Sequence, residues 1–438
     1  MTTRRAPNHT LLVTGGRVID PTQALDGEMD VLISDGRIAK LGQRLTANGA
    51  RRLDAHGCLV LPGLVDVHTH LRQPGREDAE TIATGMQAAA KGGFTTICAM
   101  PNTTPAIDSP GLVEFIVTEA QKSPEAIHVH PLGAVTRRRE GKELTDMADL
   151  AAAGVVAFSD DGNSIADAGL MRRALEYAKW LSKPIVSHAE DPALAQGGVM
   201  HEGIVATILG LRGIPASAET VMVARDVELA AATGSHVHIA HVSTAGAVAL
   251  IRDAKRRGIQ VTCETCPHYF TLTDEAVKGY RTEAKMNPPL RSDVDRQAII
   301  EGLCDGTIDM IATDHAPHPA WEKAVEFDHA PFGIIGLETA VGLAIAQLVQ
   351  PERLSWHRLV ELMSVNPAQT FRLPGGTLTP GSPADITLID PQTTWTVRET
   401  DFRSKSRNSP FLGWQLQGQV VATLCEGRLV YQANGGTR

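Results

Sequence analysis

The middle of the chain alternates short apolar runs with longer amphipathic stretches. Eight such runs have the length of buried strands: LVDVHTH, FTTICAM, AIHVHPLGAV, VVAFSDD, PIVSHAE, HVHIAHVS, QVTCETC and DMIATDH. Between them lie Ala-, Leu- and Lys-rich stretches with helical periodicity, such as ADAGLMRRALEYAKWLS. Regular alternation of strand and helix predicts a parallel sheet, and eight units favour a closed (β/α)8 barrel of the TIM type over an open sheet.

Both ends of the chain follow a different pattern, in which apolar and polar residues alternate with a period of two. Runs such as LLVTGGRVID near the start and VVATLCEGRLVY near the end are interrupted by turn residues, as strands are. The Gly- and Pro-rich stretch PGGTLTPGSP separates the second β-rich segment from the middle. We therefore expect one composite β-rich domain formed by residues 1–59 and 375–438, with the barrel over residues 60–374.

Composition and charge narrow the class of protein. The chain has 438 residues and a formal net charge of −9, which argues against nucleic acid as a partner. No apolar run is long enough to cross a membrane, and the start, MTTRRAPNHT, is unlike a secretory signal. Free cysteines and a cytoplasmic location are therefore expected. Cys263 and Cys266 form a C-x-x-C that could be a redox pair or half of a zinc site, but no second pair completes such a site.

Imidazole and carboxylate side chains gather where the predicted barrel strands end. His68 and His70 lie two positions apart on the first strand, so their side chains point to the same face. The other members of the group follow strands four, five, six and eight: Asp160, Asp161, His188, His241 and Asp314. The carboxyl ends of barrel strands meet at one rim, where buried carboxylates without a cation would be strongly unfavourable.

These groups predict a metal centre rather than an apolar rim. Nitrogen and carboxylate ligands suit zinc best, with cobalt or manganese as alternatives. The ligand set exceeds the three protein ligands of a mononuclear catalytic zinc, so two metals that share a carboxylate are favoured. A water held between two cations loses a proton near neutral pH and becomes a nucleophile. By strand alternation, His236 and His238 should not share the face of His241, and we expect them to be structural or to support a ligand.

Longer motifs resemble a known family over nearly the whole length of the chain. PGLVDVHTH, with its H-x-H, is similar to the amidohydrolase superfamily. More specific motifs are HLRQPG at 70–75, MPNTTP at 100–105, SDDG at 159–162, SHAED at 187–191, MNPPLR at 286–291, ATDHAPH at 312–318, EK at 322–323 and APFGIIGLET at 330–339. Together they resemble the bacterial dihydroorotases of the long, type I class, among the cyclic amidohydrolases. The resemblance implies a zinc-dependent hydrolase that interconverts N-carbamoyl-L-aspartate and (S)-dihydroorotate in de novo pyrimidine (UMP) biosynthesis.

Strand four distinguishes this chain from other cyclic amidohydrolases. Hydantoinases and allantoinases typically have a Phe-Lys pair there, whose carbamylated lysine bridges the metals, but this chain has Phe158 and Ser159. The resemblance places the bridge between two zinc ions on Asp161. One metal would then be bound by His68, His70, Asp161 and Asp314, and the other by Asp161, His188 and His241. Asp160 is the alternative bridge, although it points to the opposite face if the strand stays regular.

The resemblance also assigns residues to substrate and to proton transfer. Arg72 could offer a bidentate fork to a substrate carboxylate, and Asp314 would act as the general acid and base for a metal-bound hydroxide. The remaining substrate contacts are Asn102, Asn287, His318 and the backbone around Phe332 and Gly333. Two of these residues keep a structural alternative: Arg72 as a surface loop residue and Asn287 as a turn cap before Pro288.

Several expectations about function stay open at this point. The loop-like stretch from His315 to His329 is either a mobile lid over the site or a static surface loop. An allantoinase or hydantoinase is the first alternative activity, and an inactive structural partner of aspartate transcarbamoylase is the second. Such inactive chains typically lack the metal ligands that this chain retains. A homo-oligomer and an association with aspartate transcarbamoylase are also expected.

Overall fold

A computed structural model of the chain describes residues 10–123 and 127–433. The residues on which the absence of a secretory signal was judged, 1–9, lie outside this range. Strands β1 to β18 are, in chain order, Leu11–Asp20, Leu25–Ser34, Arg37–Gly42, Arg51–Asp54, Leu59–Pro62, Leu64–Thr69, Phe94–Ala99, His128–Pro131, Phe158–Ser159, Ile185–Ser187, Met200–His201, Gly213–Ile214, Val237–Ile239, Val261–Thr265, Met310–Ile311, Ile386–Thr396, Gln415–Cys425 and Arg428–Gln432.

Helices alternate with the strands through the middle of the chain. Helices α1 to α14 are Ile82–Lys91, Pro110–Lys122, Met147–Ala153, Ala168–Trp180, Pro192–Ala195, Ile204–Leu209, Ser217–Thr233, Ala245–Arg256, Pro267–Thr271, Asp293–Asp305, Ala320–Lys323, Ala340–Ala344, Trp356–Val360 and Asn366–Phe371. In α8, the Thr244 hydroxyl caps the first turn, and Val248 and Ile251 lie on the buried stripe. No helix within the described residues is long and apolar enough to cross a membrane.

Eight parallel strands close into the barrel. β6, β7 and β8 pair with one another, and so do β9, β10, β13, β14 and β15. Two parallel bridges, from Gly133 to Phe158 and from Thr69 to His315, join these two sheets into a ring. The eight strands coincide with the eight apolar runs, and the predicted barrel is confirmed. Their carboxyl ends therefore converge on one rim.

The two ends of the chain build one sheet beside the barrel. Its strands lie in the order β18-β17-β16-β5-β1-β2-β3, and β4 pairs with β1. β5 runs antiparallel to β16, with Leu61 opposite Thr387, so the first and last parts of the chain meet at the centre of the sheet. The Thr387 hydroxyl also donates to the carbonyl of Gly93, which ties the sheet to the barrel. The composite sheet is confirmed, whereas the boundaries at 59/60 and 374/375 stay a prediction.

Two segments near the rim contain short helices or strands that the sequence did not predict. Between β10 and α7 the chain makes an excursion that contains α5, the parallel pair β11 and β12, and α6, which the apolar pattern did not indicate. The stretch from His315 to His329, expected to be loop-like, contains the short helix α11. Both segments lie next to the strand ends and contribute walls to the site.

Candidate metal centre and active site

The structure brings the predicted ligands together at the carboxyl ends of the barrel strands. Asp161 lies at the centre of this cluster and is almost fully buried. Its Oδ1 is 3.4 Å from His68 Nε2, 3.5 Å from His241 Nε2 and 3.6 Å from His188 Nδ1. Its Oδ2 is 3.5 Å from His70 Nε2. One carboxylate therefore faces four imidazoles that come from three different strand ends.

Asp314 completes one side of the cluster. Its Oδ1 is 2.9 Å from His70 Nε2 and 3.6 Å from His68 Nε2. On the other side, His188 Nδ1 and His241 Nε2 are 2.9 Å apart. Two sets of donor atoms are close enough to hold a cation, His68 with His70 and Asp314, and His68 with Asp161 and His241. His68 belongs to both sets. The prediction had placed His68 and His241 on different metals, whereas the second set brings them together with Asp161.

The donor atoms fit divalent metal ions. Two of them, His68 Nε2 and Asp161 Oδ1, are buried and have no hydrogen-bond partner among the described residues. The ring nitrogens of His188 and His241 that do not face Asp161, Nε2 and Nδ1 respectively, are also buried without such a partner. Ligand atoms bound tetrahedrally about 2.1 Å from zinc lie about 3.4 Å from one another. The distances from Asp161 Oδ1 to the imidazole nitrogens match this spacing. Polar atoms left unpaired in a buried cluster are expensive unless a cation satisfies them.

The charges within the cluster also favour the binding of cations. Burial alone would raise the pKa of Asp161, but His68 and the neighbouring imidazoles outweigh it and hold that pKa well below its usual range. Burial would likewise lower the pKa of His68, but Asp161 and Glu264 outweigh it and raise that pKa well above its usual range. The carboxylates of the cluster therefore require positive charge beside them, and bound metal ions would supply it.

Asp160, the alternative bridging residue, points away from the cluster. Its Oδ1 accepts from the backbone N–H groups of Val135 and Thr136, 2.9 and 3.0 Å away, and its Oδ2 accepts from the Thr136 hydroxyl. Both of its oxygens are therefore used to fix the segment after β8. Ser159, at the position of the hydantoinase lysine, donates to the carbonyl of Val186 instead.

Three residues of the site have left-handed backbone angles although none is a glycine. The φ angles are +62° at Arg72, +35° at His241 and +48° at Asp314. Such conformations cost free energy and persist where the surrounding structure over-determines them, often at functional sites. In each case the turn directs a polar side chain from the end of a strand towards the barrel axis.

A chain of hydrogen bonds supports the ligands from inside the barrel. His68 Nδ1 donates to Glu264 Oε1 at 2.5 Å, and Glu264 Oε2 accepts from His238 Nε2 at 3.1 Å. His238 Nδ1 is 2.8 Å from the Thr262 hydroxyl, which is also 2.8 Å from His236 Nε2. Partners of this kind fix the orientation of a metal-binding imidazole. Glu264 was not identified from the sequence, although a carboxylate inside the apolar run QVTCETC was a usable signal.

Asp66 is a second supporting carboxylate that the sequence reasoning missed. Its Oδ1 accepts from the backbone N–H of His68, and its Oδ2 accepts from the Thr313 hydroxyl at 2.5 Å. It thereby joins β6 to the residue that precedes Asp314. Its position in PGLVDVHTH, two residues before the first histidine, was the available signal.

Four of the predicted substrate residues, Arg72, His318, Phe332 and Gly333, lie close together. Arg72 Nε donates to the carbonyl of Pro317 at 3.1 Å, and its NH2 group is 3.2 Å from His318 Nε2. His318 Nε2 is also 2.9 Å from the carbonyl of Phe332, and the backbone N–H of Gly333 donates to Lys285. These two backbone groups of 332 and 333 are thus engaged within the protein.

Of the two predicted asparagines, Asn102 contacts a candidate ligand, whereas Asn287 contacts Glu190. Asn102 Oδ1 is 2.9 Å from His70 Nδ1, so this residue also orients a candidate ligand. Asn287 Nδ2 donates to Glu190 Oε1 at 3.2 Å, while its Oδ1 is buried without a partner among the described residues. Asn287, Glu190 and Phe332 line an open cleft of about 640 Å³ next to the cluster. A cleft of this size accommodates a small-molecule substrate.

Two buried lysines anchor the segment after β15. Lys323 Nζ donates to the carbonyls of Thr282, Lys285 and Pro331 at 3.1, 3.1 and 2.7 Å. Lys285 Nζ lies 4.7 Å from the centre of the Phe332 ring. These contacts hold the segment that carries His318 and Phe332 against the wall of the cleft.

Comparisons with known proteins agree with this geometry. A family model described as "Dihydro-orotase-like" matches residues 57–247. A curated relative named dihydroorotase, from Pelotomaculum thermopropionicum, is 56% identical over 96% of this chain and 98% of its own length. The chain belongs to the dihydroorotase family. Another dihydroorotase, from Citrifermentans bemidjiense, is 54% identical over 97% of this chain and 100% of its own length.

Solved structures of hydantoinases and dihydropyrimidinases have a similar fold. The L-hydantoinase (dihydropyrimidinase) from Arthrobacter aurescens is 27% identical and superposes with a TM-score of 0.88, over 97% of this chain and 96% of its own. A dihydropyrimidinase from Brevibacillus agri is 26% identical, with a TM-score of 0.83 over 97% and 95% of the two chains. The resemblance to type I dihydroorotases is therefore confirmed at the level of the family, and the barrel is shared with cyclic amidohydrolases that act on other rings.

Proposed function

We propose that the chain catalyses the reversible cyclisation of N-carbamoyl-L-aspartate to (S)-dihydroorotate, with loss of water, in de novo pyrimidine biosynthesis. Relatives more than half identical over nearly the whole chain are named for this activity. The observation that carries the proposal is the carboxylate of Asp161 surrounded by four imidazoles beside a polar cleft. This arrangement suits the hydrolysis of an amide bond and its reversal.

We propose that two zinc ions occupy this centre, with Asp161 as the carboxylate they share. Bound there, the metals would polarise a carbonyl oxygen and lower the pKa of a water. His68 and His70 with Asp314 would hold one ion, and His188 with His241 the other. Glu264 and Asn102 would keep the rings of His68 and His70 in the required orientation.

The rim around the cluster carries the charge that the substrate needs. N-carbamoyl-L-aspartate carries two carboxylates and dihydroorotate one, so recognition requires a cation outside the metal centre. Arg72 lies beside the cluster and faces His318, and its guanidinium fork matches a carboxylate. Asn287 has an unpaired buried oxygen that could accept a hydrogen bond from a ring N–H.

Asp314 is the residue we propose for proton transfer. During ring closure, its carboxylate takes the proton from the ureido nitrogen as the C–N bond forms, and gives it to the oxygen that leaves as water. During ring opening, the same carboxylate returns a proton to the ring nitrogen. Closure converts a dianion into a monoanion and so consumes one proton from solvent. We therefore expect lower pH to favour closure and higher pH to favour opening, whichever residue transfers the proton.

The first experiment counts zinc and follows both directions of the reaction with and without a chelator. We expect chelator-sensitive turnover and up to two zinc ions per subunit. Asp314→Asn should retain zinc but lose about 10²–10⁴-fold in turnover, the contribution of a positioned acid or base. Asp149→Asn, an exposed position with the same change of charge, is the matched control. Full turnover in Asp314→Asn would move proton transfer to another residue.

The alternative activity is hydrolysis of hydantoins, dihydropyrimidines or allantoin, since the solved relatives include hydantoinases. Ser159 in place of a lysine, together with Arg72, favours dihydroorotate. A panel of these rings at equal concentrations separates the candidates, and a higher kcat/KM for a hydantoin would overturn the proposal. Self-association, contact with aspartate transcarbamoylase and a cytoplasmic location stay predictions from the resemblance.

A further inference from the structure

A second cluster of metal-binding side chains lies at the end of the barrel opposite the catalytic rim. His128 is the first residue of β8, Asp385 directly precedes β16, and Cys425 is the last residue of β17. One donor atom from each of the three lies within 4.8 Å of the others. None of these residues contributes to the centre built around Asp161.

The contacts within this cluster leave room for a cation. His128 Nε2 is 3.1 Å from Asp385 Oδ2, while Asp385 Oδ1 accepts from the backbone N–H of Glu426 at 2.7 Å. Cys425 forms no disulfide and is almost fully buried; its thiol interacts with the His128 side chain and lies 3.9 Å from the carbonyl of Thr95, a weak contact. The Asp385 carboxylate is therefore held in place by the backbone and turned towards the other two groups.

The surroundings are buried but can be reached from solvent. Asp385 is 2% exposed and Cys425 1% exposed, whereas the side chain of His128 is 21% exposed. His130, two residues further along β8, stacks on His128 with ring centres 6.4 Å apart. Its Nε2 is buried and has no hydrogen-bond partner among the described residues, so it is a further nitrogen donor beside the cluster.

We propose that His128, Asp385 and Cys425 form a separate binding site for a thiophilic divalent cation, zinc above all. A thiolate, an imidazole and a carboxylate are zinc ligands, and three protein ligands leave a fourth position for water on the exposed side of His128. Binding releases the thiol proton and any proton held on the imidazole, so the site is fully formed only when both are lost. The bound ion joins β8 of the barrel to the strands of the composite sheet, which gives it a structural role.

The test measures metal content and spectroscopy of the full chain. Protein stripped with a chelator is reloaded with zinc, and Cys425→Ser and His128→Gln are compared with the parent. Each variant should bind one equivalent less than the parent, whatever the parent's total. The exposed Cys304→Ser serves as the cysteine control and should bind as many equivalents as the parent. Equal zinc content in the parent and in both variants would overturn the site, as would a loss in the control.

The spectrum of bound cobalt(II) reports directly on coordination by a thiolate, so a change in stability alone would not alter it. The reloaded parent should show the near-ultraviolet charge-transfer band of a thiolate bound to cobalt. That band should disappear in Cys425→Ser and persist in Cys266→Ser, whose thiol lies near Asp314 at the catalytic rim. Loss of the band in Cys266→Ser alone, or no band in the parent, would refute the assignment. Because neither readout requires turnover, failure of the proposed dihydroorotase activity would leave this test intact.

Discussion

Replacing Glu264 with glutamine tests whether residues inside the barrel control the proposed metal centre. The carboxylate bridges His68 Nδ1 at 2.5 Å and His238 Nε2 at 3.1 Å, and it is completely buried. Burial would raise its pKa, but the two histidines outweigh this effect and bring that pKa to about 2, so the residue is an anion. Glutamine keeps the shape, but only its oxygen can accept a hydrogen bond from an imidazole, because its other terminal group is an NH2 donor.

The size of the effect follows from the bond that is lost. A hydrogen bond to a charged group contributes about 1.5–3 kcal/mol, which corresponds to about 10–150-fold in an equilibrium constant. We therefore expect Glu264→Gln to weaken zinc binding by about 10–100-fold, the usual effect of removing such a partner. Competition with a chelating dye gives the affinity, and kcat at limiting and at excess zinc shows whether added metal restores turnover.

A matched control separates this effect from the burial of an altered side chain. Asp20, in the composite sheet, is another completely buried carboxylate, and it accepts from Thr22, Gln23, Thr377 and Leu378 far from the metal ligands. Asp20→Asn should lower the stability of the protein but leave zinc affinity unchanged. Parent-like zinc affinity and turnover in Glu264→Gln would refute the argument that this carboxylate orients His68.

Three further predictions address the cleft and the far end of the barrel. Gly333→Ala places a Cβ 2.8 Å from the Cβ of Ala316 and 3.2 Å from His318 Nε2, at a φ of +128°. The segment that carries Ala316 and His318 must then shift, so KM for N-carbamoyl-L-aspartate should rise about tenfold in steady-state kinetics while zinc content stays constant. Arg72→Lys keeps the charge but loses the fork and the bond to Pro317, which should lower kcat/KM by about 10–100-fold. Burial would lower the pKa of His128, but its partners raise it to about 11, and denaturant titrations should show the corresponding dependence on pH. Because the folded pKa lies above the unfolded value of about 6.5, this stabilisation is complete below pH 6.5 and is lost as pH rises towards 11.

Each of these predictions has an outcome that contradicts it. An unchanged KM in Gly333→Ala would mean that His318 does not contact substrate. If Arg72→Lys had the kinetics of the parent, Arg72 would not bind the substrate carboxylate and would be an ordinary loop residue. Chelator-treated parent and His128→Gln should lose stability with different slopes between pH 7 and 10, and parallel curves would show that the imidazole is not paired in the folded state.

Much of the centre could be predicted because strand geometry constrains it. The spacing of His68 and His70 and the polar residues at the ends of the apolar runs predict that the candidate ligands share one rim. The resemblance assigned the bridge to Asp161, and alternation along the strand ranked Asp160 second. In the structure Asp160 turns away and accepts from Val135 and Thr136. The period of two along a strand was sufficient to predict which of these side chains share a face.

Other features depended on contacts between segments distant in sequence. Glu264 meets His68 only because closure of the barrel brings β14 next but one to β6, with β15 between them, and nothing in the local pattern of β14 specifies that partner. The cluster of His128, Asp385 and Cys425 joins three segments in the same way. The excursion with β11 and β12 was missed because strands of two residues are too short to show a period.

The composite sheet has a consequence for the order in which the protein can fold during synthesis. Leu64 and Thr387, which bond at the junction of sheet and barrel, are 323 residues apart, so β16–β18 leave the ribosome long after their partners. Until then, β5 presents an unpaired edge, and such edges promote pairing between chains. Contacts of this sequence separation also slow folding. A nascent chain that has finished its barrel therefore still depends on its last strands, and truncation before β16 should direct it to chaperones or aggregates.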